Sequence, residues 1–244
     1  MAAYKRHDGR GAGELRAVKV TPDFIRTADG SCLIEVGNTR VICTASFVEG
    51  VPPWREHTGQ GWVTAEYGML PASTGQRKRR PGVHQDSRSV EIQRIIGRAL
   101  RSVVRYDRLG ENTMYLDCDV LQADGGTRTA AITGAYVALA MALRRCAAGG
   151  RCKAGALNGA VAAVSVGIVD GHAVLDLDYQ EDSAAEVDMN VAMKSGGKFV
   201  EIQSTAESRP FGEAQLRQML RLARRGIREL LVVQRRAIER RGKR

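Results

Sequence analysis

The chain has 244 residues, 43% of them hydrophobic, which is enough to bury a sizeable core in one large domain or two small ones. Its 37 Lys and Arg against 27 Asp and Glu give a formal net charge of +10. This excess points to a polyanionic partner, nucleic acid ahead of an anionic membrane surface, although charge alone does not exclude a basic protein that binds neither.

The cysteines and the apolar runs indicate where such a chain resides. Five cysteines, an odd number with no Cys-x-x-Cys pair, predict reduced thiols in a cytoplasmic protein. Residues 1–16 have no apolar core, so no signal peptide is expected. The longest apolar run, residues 130–143, is shorter than the roughly 20 residues that a membrane span needs. It predicts a buried core helix, and no membrane partner is expected.

The first third has the pattern of β structure. Strands are predicted at residues 32–36 and 41–48, joined by a hairpin turn at 37–40, with a third strand at 62–67. Residues 75–85 are polar and basic and predict a loop. Its positive charge comes from four consecutive residues, Arg77, Lys78, Arg79 and Arg80.

An amphipathic helix is predicted at residues 89–104, where apolar residues recur with i, i+3, i+4 spacing. Arg88 stands at its start. A basic side chain is unfavourable beside a helix N-terminus unless an anion offsets it, because the helix dipole is already positive there. Either a solvated arginine or an anion ligand fits this position.

A strand-to-helix corner lies at Gly125-Gly126-Thr127-Arg128-Thr129, between a strand predicted at 114–121 and the helix at 130–143. The glycines allow close approach of a ligand, either threonine can cap the helix, and the arginine offers a planar fork that fits phosphate oxygens. An ordinary glycine turn with a surface arginine fits the pentapeptide equally well.

The second half begins after a linker predicted at residues 149–158. It contains four strands and a C-terminal helix, predicted at residues 160–168, 173–179, 188–193, 199–205 and 216–231. We therefore expect an α+β fold of two halves, residues 1–150 and 151–244, around one core.

Six carboxylates are concentrated in the second half: Asp176, Asp178, Glu181, Asp182, Glu186 and Asp188. The predicted strand places Asp176 and Asp178 on one face, while Asp182 and Asp188 bracket a connection. Converging carboxylates must bind a cation, pair with arginine or keep a proton. Oxygen ligands of this kind suit Mg²⁺ or Mn²⁺, and a protonated carboxyl can serve as general acid. A solvated acidic loop is the alternative, against which the apolar neighbours argue.

Several motifs together resemble the ribonuclease PH family over nearly the whole chain, in order and at the family's spacing. They are Asp8-Gly9-Arg10 and residues 61–71, 91–98, 117–130, 175–191 and 201–207. The resemblance implies a phosphorolytic 3′-to-5′ exoribonuclease, a nucleotidyltransferase that trims precursor transfer RNA with inorganic phosphate and releases nucleoside diphosphates. It also implies roles in transfer and ribosomal RNA processing, a mixed sheet with helices and a left-handed βαβ crossover, and a homohexameric ring built as a trimer of dimers.

The resemblance also assigns site residues. It implies that Arg88, Gly126, Thr127 and Arg128 hold the attacking phosphate, and that Asp182 and Asp188 are the catalytic pair and ligate Mg²⁺ or Mn²⁺. RNA-binding side chains are then expected at five basic positions: Arg77, Lys78, Arg79, Arg80 and Arg94.

Departures from the family pattern cluster in the substrate-facing loop and bear on RNA grip and ring contacts more than on the chemistry. They are Ala72, Pro81, Ser87, Ser89 and Ser204. Two other classes of function stay open: a catalytically silent RNA-binding ring subunit, and a metal-dependent hydrolytic nuclease.

Overall fold

The computed structural model describes residues 6–80 and 86–239. Its first sheet is mixed, with the spatial order β1-β2-β3-β5-β4, and only the β4–β5 pair is parallel. The strands are β1 Val18–Pro22, β2 Gly30–Val36, β3 Thr39–Glu49, β4 Trp62–Met69 and β5 Asn112–Gln122.

The second sheet is antiparallel throughout, with the order β7-β6-β8-β9. Its strands are β6 Val161–Val169, β7 His172–Leu175, β8 Val187–Lys194 and β9 Phe199–Ala206. The helices are α1 Ser87–Arg101, α2 Tyr106–Leu109, α3 Thr127–Ala148, α4 Tyr179–Ala184 and α5 Glu213–Glu239. The predicted α+β class with a mixed sheet is confirmed, whereas β1, α2 and α4 were not predicted.

The helix α1 crosses from β4 to its parallel neighbour β5, so this connection is the βαβ unit of the fold. The left-handedness that the family resemblance implies for it stays a prediction. Helix α1 begins earlier than its apolar periodicity, because the Asp86 carboxylate caps it by accepting a hydrogen bond from the Ser89 backbone N–H at 2.8 Å. Its apolar stripe, which includes Ile92 and Ile96, is buried as predicted.

Helix α3 forms the centre of the molecule and packs against β2 and β3 of the first sheet and β6 of the second. By length and composition it could span a membrane, but 83% of its most apolar stretch is buried inside the protein. Small residues permit this close packing, since a Cβ on Gly134 would lie 2.7 Å from Ile34 and Cys43. The two halves share the core around α3, and a second apolar cluster fills the space between the second sheet and α5.

The strand predicted at residues 173–179 is wrong in its second half, because β7 ends at Leu175. Asp176 takes a left-handed backbone conformation with φ +55°, which stops the strand. Asp178 then caps α4 with a capping box formed with Glu181. Asp176 and Asp178 therefore do not share a strand face, and the new helix carries Asp182.

Candidate active site

An open cavity of about 620 Å³ lies where the N-termini of α1 and α3 meet α4, β8 and the loop after β4. Eight of the residues predicted from the sequence line it: Arg77, Lys78, Arg88, Gly126, Thr127, Arg128, Asp182 and Asp188. The fold thus brings the basic cradle of the first half and the acidic pair of the second half to one space.

The N-terminus of α3 opens into this cavity. Its N-cap is Gly126, with φ +64°, and no side chain of the described residues caps the helix. The prediction that Thr127 or Thr129 caps it is wrong: the Thr129 hydroxyl donates to the Gly126 carbonyl at 2.9 Å, and the Thr127 hydroxyl accepts a hydrogen bond from Tyr67 at 2.9 Å. The positive end of a 22-residue helix is thereby available to an anion.

Gly125 packs this corner directly on the backbone of Leu177 and Asp178. It has φ +69°, and a Cβ there would lie 2.6 Å from the Leu177 carbonyl oxygen and 2.5 Å from the Asp178 carbonyl carbon. The Thr39 hydroxyl holds the corner from the other side, donating to the Gly125 carbonyl at 2.7 Å and accepting from the Asp124 N–H at 2.9 Å. Only glycine fits this contact between the two halves.

Two arginines line the cavity from different helices. Arg128 is 18% exposed, and its Nη1 donates to Gln203 Oε1 at 2.7 Å and lies 3.7 Å from Glu91 Oε1. Arg88 is exposed in the first turn of α1, where the capping carboxylate of Asp86 already offsets the helix dipole. Helix electrostatics therefore do not decide between a solvated arginine and an anion ligand at Arg88, because Asp86 already supplies the offsetting charge.

The acidic pair faces these arginines. Burial raises the pKa of Asp188 to about 6, and the negative charge of Asp182 acts in the same direction, opposed by Arg128 and by hydrogen bonds from Asn190 Nδ2 at 3.1 and 3.4 Å. Burial also raises the pKa of Asp182, against the lowering effect of Arg88 and Arg128. The two carboxyls therefore oppose each other's ionisation, and a cation between them would relieve that repulsion.

Asp182 and Asp188 thus fit a hard divalent ion such as Mg²⁺ or Mn²⁺, which takes oxygen ligands. A second group of potential ligands, His7, Asp178 and Glu181, lies within 4.8 Å of one another. There Arg6 already bonds both carboxylate oxygens of Glu181, with Nε at 2.5 Å from Oε1. Arg6 thus already neutralises Glu181, so this second group is paired with arginine.

Asp176 and Asp178 belong to that arginine-paired group, whereas Glu186 lies outside it and accepts a hydrogen bond from the Gly171 N–H at 2.7 Å. The Arg16 Nη2 lies 2.7 Å from Asp176 Oδ1, and its Nε donates to Asp176 Oδ2 at 3.0 Å. His7 Nε2 lies 2.7 Å from Asp178 Oδ2, and Arg10 Nη1 donates to the Asp176 carbonyl at 3.0 Å. Asp176, Asp178 and Glu181 are therefore buried structural anions outside the cavity.

Some predicted RNA-binding residues lie apart from the cavity. Arg79 and Arg80 are exposed beyond the lining part of their loop, and Arg94 is exposed on α1. The position of Pro81, with the rest of 81–85, lies outside the described residues. Among the departures, Ser89 has a defined role, since its hydroxyl donates to the capping Asp86 carboxylate at 3.0 Å beside Arg88.

Sequence reasoning missed three residues that hold the site. Asn190 could have been found, because it follows Asp188 by two positions in β8 and so shares its face. Tyr67 is buried, and its bond to Thr127 joins elements 60 residues apart. Gln203 links Arg128 to Glu91, to which its Nε2 donates at 2.5 Å. No local sequence pattern predicts the contacts of Tyr67 and Gln203, because their partners are distant in sequence.

Comparison with known proteins identifies the family of this site. Residues 14–144 match domain 1 of the 3′ exoribonuclease family and residues 159–226 match domain 2. The chain is 54% identical over 231 residues to ribonuclease PH of Neisseria meningitidis serogroup C, covering 94% of this chain and 96% of that protein.

Solved structures show the same fold at lower identity. The Archaeoglobus fulgidus exosome with RNA bound to the active site has a chain that matches with a TM-score of 0.79 and 21% identity, covering 93% of this chain and 91% of that one. Rice Rrp46 matches with a TM-score of 0.77 and 17% identity, covering 96% and 100%. Because both family domains match and the sequence is 54% identical to a ribonuclease PH over 94% of its length, the chain belongs to the ribonuclease PH family of 3′ exoribonucleases.

Proposed function

We propose that this protein is a phosphorolytic 3′-to-5′ exoribonuclease that trims the 3′ ends of precursor transfer RNA with inorganic phosphate. One observation carries the proposal: an anion cradle (Arg88, Arg128 and the α3 N-terminus) and an acidic pair (Asp182 and Asp188) line the same cavity. A hydrolytic nuclease needs the acidic pair but leaves the cradle without a ligand.

The cradle orients the nucleophile. Inorganic phosphate and the RNA phosphodiester are both anions, so their approach requires positive charge on either side of the attacking group. Arg88 and Arg128 provide two cations, and the backbone N–H groups of the first turn of α3 provide donors that need no reorganisation. The Tyr67 hydroxyl holds the Thr127 side chain at the edge of this cradle.

The acidic pair acts on the bond that breaks. A phosphate oxygen attacks the phosphorus that joins the 3′-terminal nucleotide to the preceding one, and the bond to the preceding 3′-oxygen breaks. That oxygen takes up a proton, and the terminal nucleotide leaves as a nucleoside diphosphate. We assign the pair to this step: Asp182 or Asp188 donates the proton to the leaving oxygen, since burial raises the pKa of both carboxyls.

Asp182 and Asp188 are also the residues that would hold Mg²⁺ or Mn²⁺, and the bound ion would supply positive charge to the phosphate oxygens. Their mutual repulsion supports this assignment, because a cation lowers the free energy of both ionised carboxylates. In either role the pair must remain aligned with the cradle, which the packing of Gly125 on Leu177 and Asp178 secures.

Basic residues beside the cavity would grip the RNA backbone. Arg77 and Lys78 line its edge, and Arg79, Arg80 and Arg94 extend the positive surface outside it. Contacts of this kind are sequence-independent and weaken with salt. We also propose, from the family resemblance, a cytoplasmic homohexameric ring with roles in ribosomal RNA processing, and halves that divide at 1–150 and 151–244.

A trimming assay tests the activity. The protein is incubated with Mg²⁺ and an RNA with an extended 3′ end, with and without phosphate. If the reaction is phosphorolysis, the RNA shortens only when phosphate is present, and the products are nucleoside diphosphates. Monophosphates, or trimming without phosphate, would establish a hydrolytic nuclease instead.

No trimming in either condition would favour the catalytically silent ring subunit. That alternative is not favoured, because all four charged residues of the site, Arg88, Arg128, Asp182 and Asp188, are present and face one cavity. Sedimentation of the same preparation measures the assembly: a hexamer is expected, and a monomer would contradict the ring.

A further inference from the structure

A basic groove lies at the far end of the second sheet from the active site, between the β8–β9 hairpin and α5. It encloses about 310 Å³ and is lined by Lys194, Gly196, Gly197, Arg224 and Arg228 together with apolar residues. We propose that this groove and the adjoining arginines of α5 bind the phosphate backbone of the RNA substrate upstream of its 3′ end.

The arginines of α5 form a continuous stripe. Arg221, Arg224, Arg228 and Arg235 follow one another at spacings of three, four and seven residues, which places them on one face of the helix. Three of them are exposed, and Arg224 is partly buried where it meets the hairpin. The stripe is about 20 Å long at the α-helical rise and runs beside the groove.

The charge of this face is not neutralised by carboxylates. No Asp or Glu of the described residues lines the groove. Arg224 donates to the Gly197 carbonyl at 3.1 Å and lies over the Phe199 ring at 4.5 Å, while Arg228 donates to the Arg224 carbonyl at 3.2 Å. Carbonyl and aromatic contacts orient these guanidinium groups and leave their full charge to attract an anion.

Two other arginines of α5 form ion pairs with glutamates of the same helix. Arg217 pairs with Glu213, and Arg225 lies 3.3 Å from Glu229, each at i,i+4 spacing. The helix therefore carries two paired arginines and a separate stripe, in which Arg224 and Arg228 contact only carbonyl and aromatic groups among the described residues. A row of uncompensated guanidinium groups complements a phosphodiester chain, for which Arg has the matching geometry.

The position of the groove suits an RNA whose 3′ end is in the cavity. Strand β8 joins the two places, since Asp188 is near its start and Lys194 ends it. Six residues of strand span about 20 Å, which equals about six nucleotides at about 3.4 Å per nucleotide in a stacked helix. The α5 face of β8 carries Met189, Val191 and Met193, whereas Asp188 opens on the other face, so an RNA that occupies both sites must pass the edge of the sheet and needs more than six nucleotides. This step rests on the proposed function of the cavity.

A double variant with a matched control tests the proposal. Arg221→Gln/Arg228→Gln removes two charges from the stripe, and Arg26→Gln/Arg144→Gln removes two exposed arginines elsewhere. Both are made with Asp188→Asn, so RNA binding is measured by fluorescence anisotropy without turnover or phosphate. A failure of phosphorolysis in the trimming assay would therefore leave this result intact.

The stripe variant should bind a transfer-RNA-length substrate about tenfold more weakly and lose about one to two units from the slope of log Kd against log salt. The control variant should change neither quantity. An RNA of about four nucleotides is too short to reach the groove, so both variants should bind it like the parent.

Four results would overturn the proposal. Equal weakening in both double variants would show a general effect of net charge, and unchanged binding would show that RNA does not touch the stripe. A change in sedimentation of the stripe variant would make the face a contact between subunits. Loss of binding to phosphatidylserine vesicles, with RNA binding unchanged, would assign the stripe to a lipid surface.

Discussion

Five of the six carboxylates between residues 176 and 188 divide into two groups with opposite electrostatics. Asp176, Asp178 and Glu181 are buried against arginine and histidine side chains from the N-terminal segment, with Arg16 bonded to both oxygens of Asp176. Asp182 and Asp188 line a cavity, and burial raises the pKa of each carboxyl. The first group holds the chain in place, while the second is kept in an unfavourable state that a ligand or a proton relieves.

This difference shows how one stretch of sequence serves both stability and chemistry. The arginine-paired group sets the path of the chain from β7 into α4, and α4 then carries Asp182 to the cavity. A site with a raised carboxyl pKa destabilises the fold, so it requires neighbours that fix the backbone independently. The buried ion pairs next to it provide that support.

The largest effect is expected for the cavity pair. Asp188→Asn and Asp182→Asn keep the shape of the side chain but remove its charge and its proton, and turnover should fall about 10³-fold, within the range for loss of general acid–base catalysis. The trimming assay measures this, with sedimentation to show that assembly is kept. Activity within a few-fold of the parent would remove either residue from the catalytic role.

Substitution in the arginine-paired group should lower the free energy of unfolding. Asp176→Asn leaves Arg16 buried beside a neutral amide, and since asparagine tolerates the left-handed backbone of this position, the loss of charge is the main change. Breaking a buried pair should lower the free energy of unfolding by about 3 kcal/mol. Chemical denaturation measures it.

The control for this change is Asp107→Asn, whose carboxylate lies 3.5 Å from Arg108 in an exposed pair. It should cost less than about 1 kcal/mol. Equal costs for the two variants would show that the buried pair contributes no more than a surface one.

The cradle should show a selective effect on phosphate. Arg128→Ala removes a fork that Gln203 and Glu91 orient, and the KM for phosphate should rise about tenfold or more with little change in RNA affinity. Titration of phosphate at saturating RNA measures it. An equal loss of RNA affinity would contradict the assignment to phosphate.

The smallest effect is expected at the residue that positions the cradle. Tyr67→Phe removes the hydroxyl that donates to Thr127, and the free energy of unfolding should fall by about 1 kcal/mol while the KM for phosphate rises a few-fold. Tyr136→Phe is the matched control, because the Tyr136 hydroxyl bonds the Gly159 carbonyl at 3.3 Å outside the cavity. It should cost similar stability and leave KM unchanged.

Local patterns in the sequence predicted most elements and the corner that forms the cradle. The hairpin at Gly37, the amphipathic face of α1 and the buried helix α3 follow from alternation, periodicity and apolar content. Asp182 and Asp188 came from the family resemblance, and the structure places both at one cavity with the predicted arginines.

The division of the acidic cluster could not be predicted, because it depends on contacts distant in sequence. Arg6 and Glu181 are 175 residues apart, and Arg16 and Asp176 are 160 apart. The end of β7 depends on the left-handed conformation of Asp176, which Arg16 stabilises by bonding its carboxylate. A prediction from strand propensity alone therefore placed the end of this strand at residue 179 instead of residue 175.

The contrast between the two groups is tested most directly by the stability of Asp188→Asn as a function of pH, without divalent ions. The native pKa of Asp188, about 6, lies above the usual aspartate value of 3.8, so the parent loses stability as pH rises through this interval. The variant lacks that loss. It should exceed the parent in unfolding free energy by roughly 1 to 3 kcal/mol at neutral pH, with the difference shrinking below about pH 6. A variant that is less stable than the parent at neutral pH, or a difference that does not change with pH, would contradict the account.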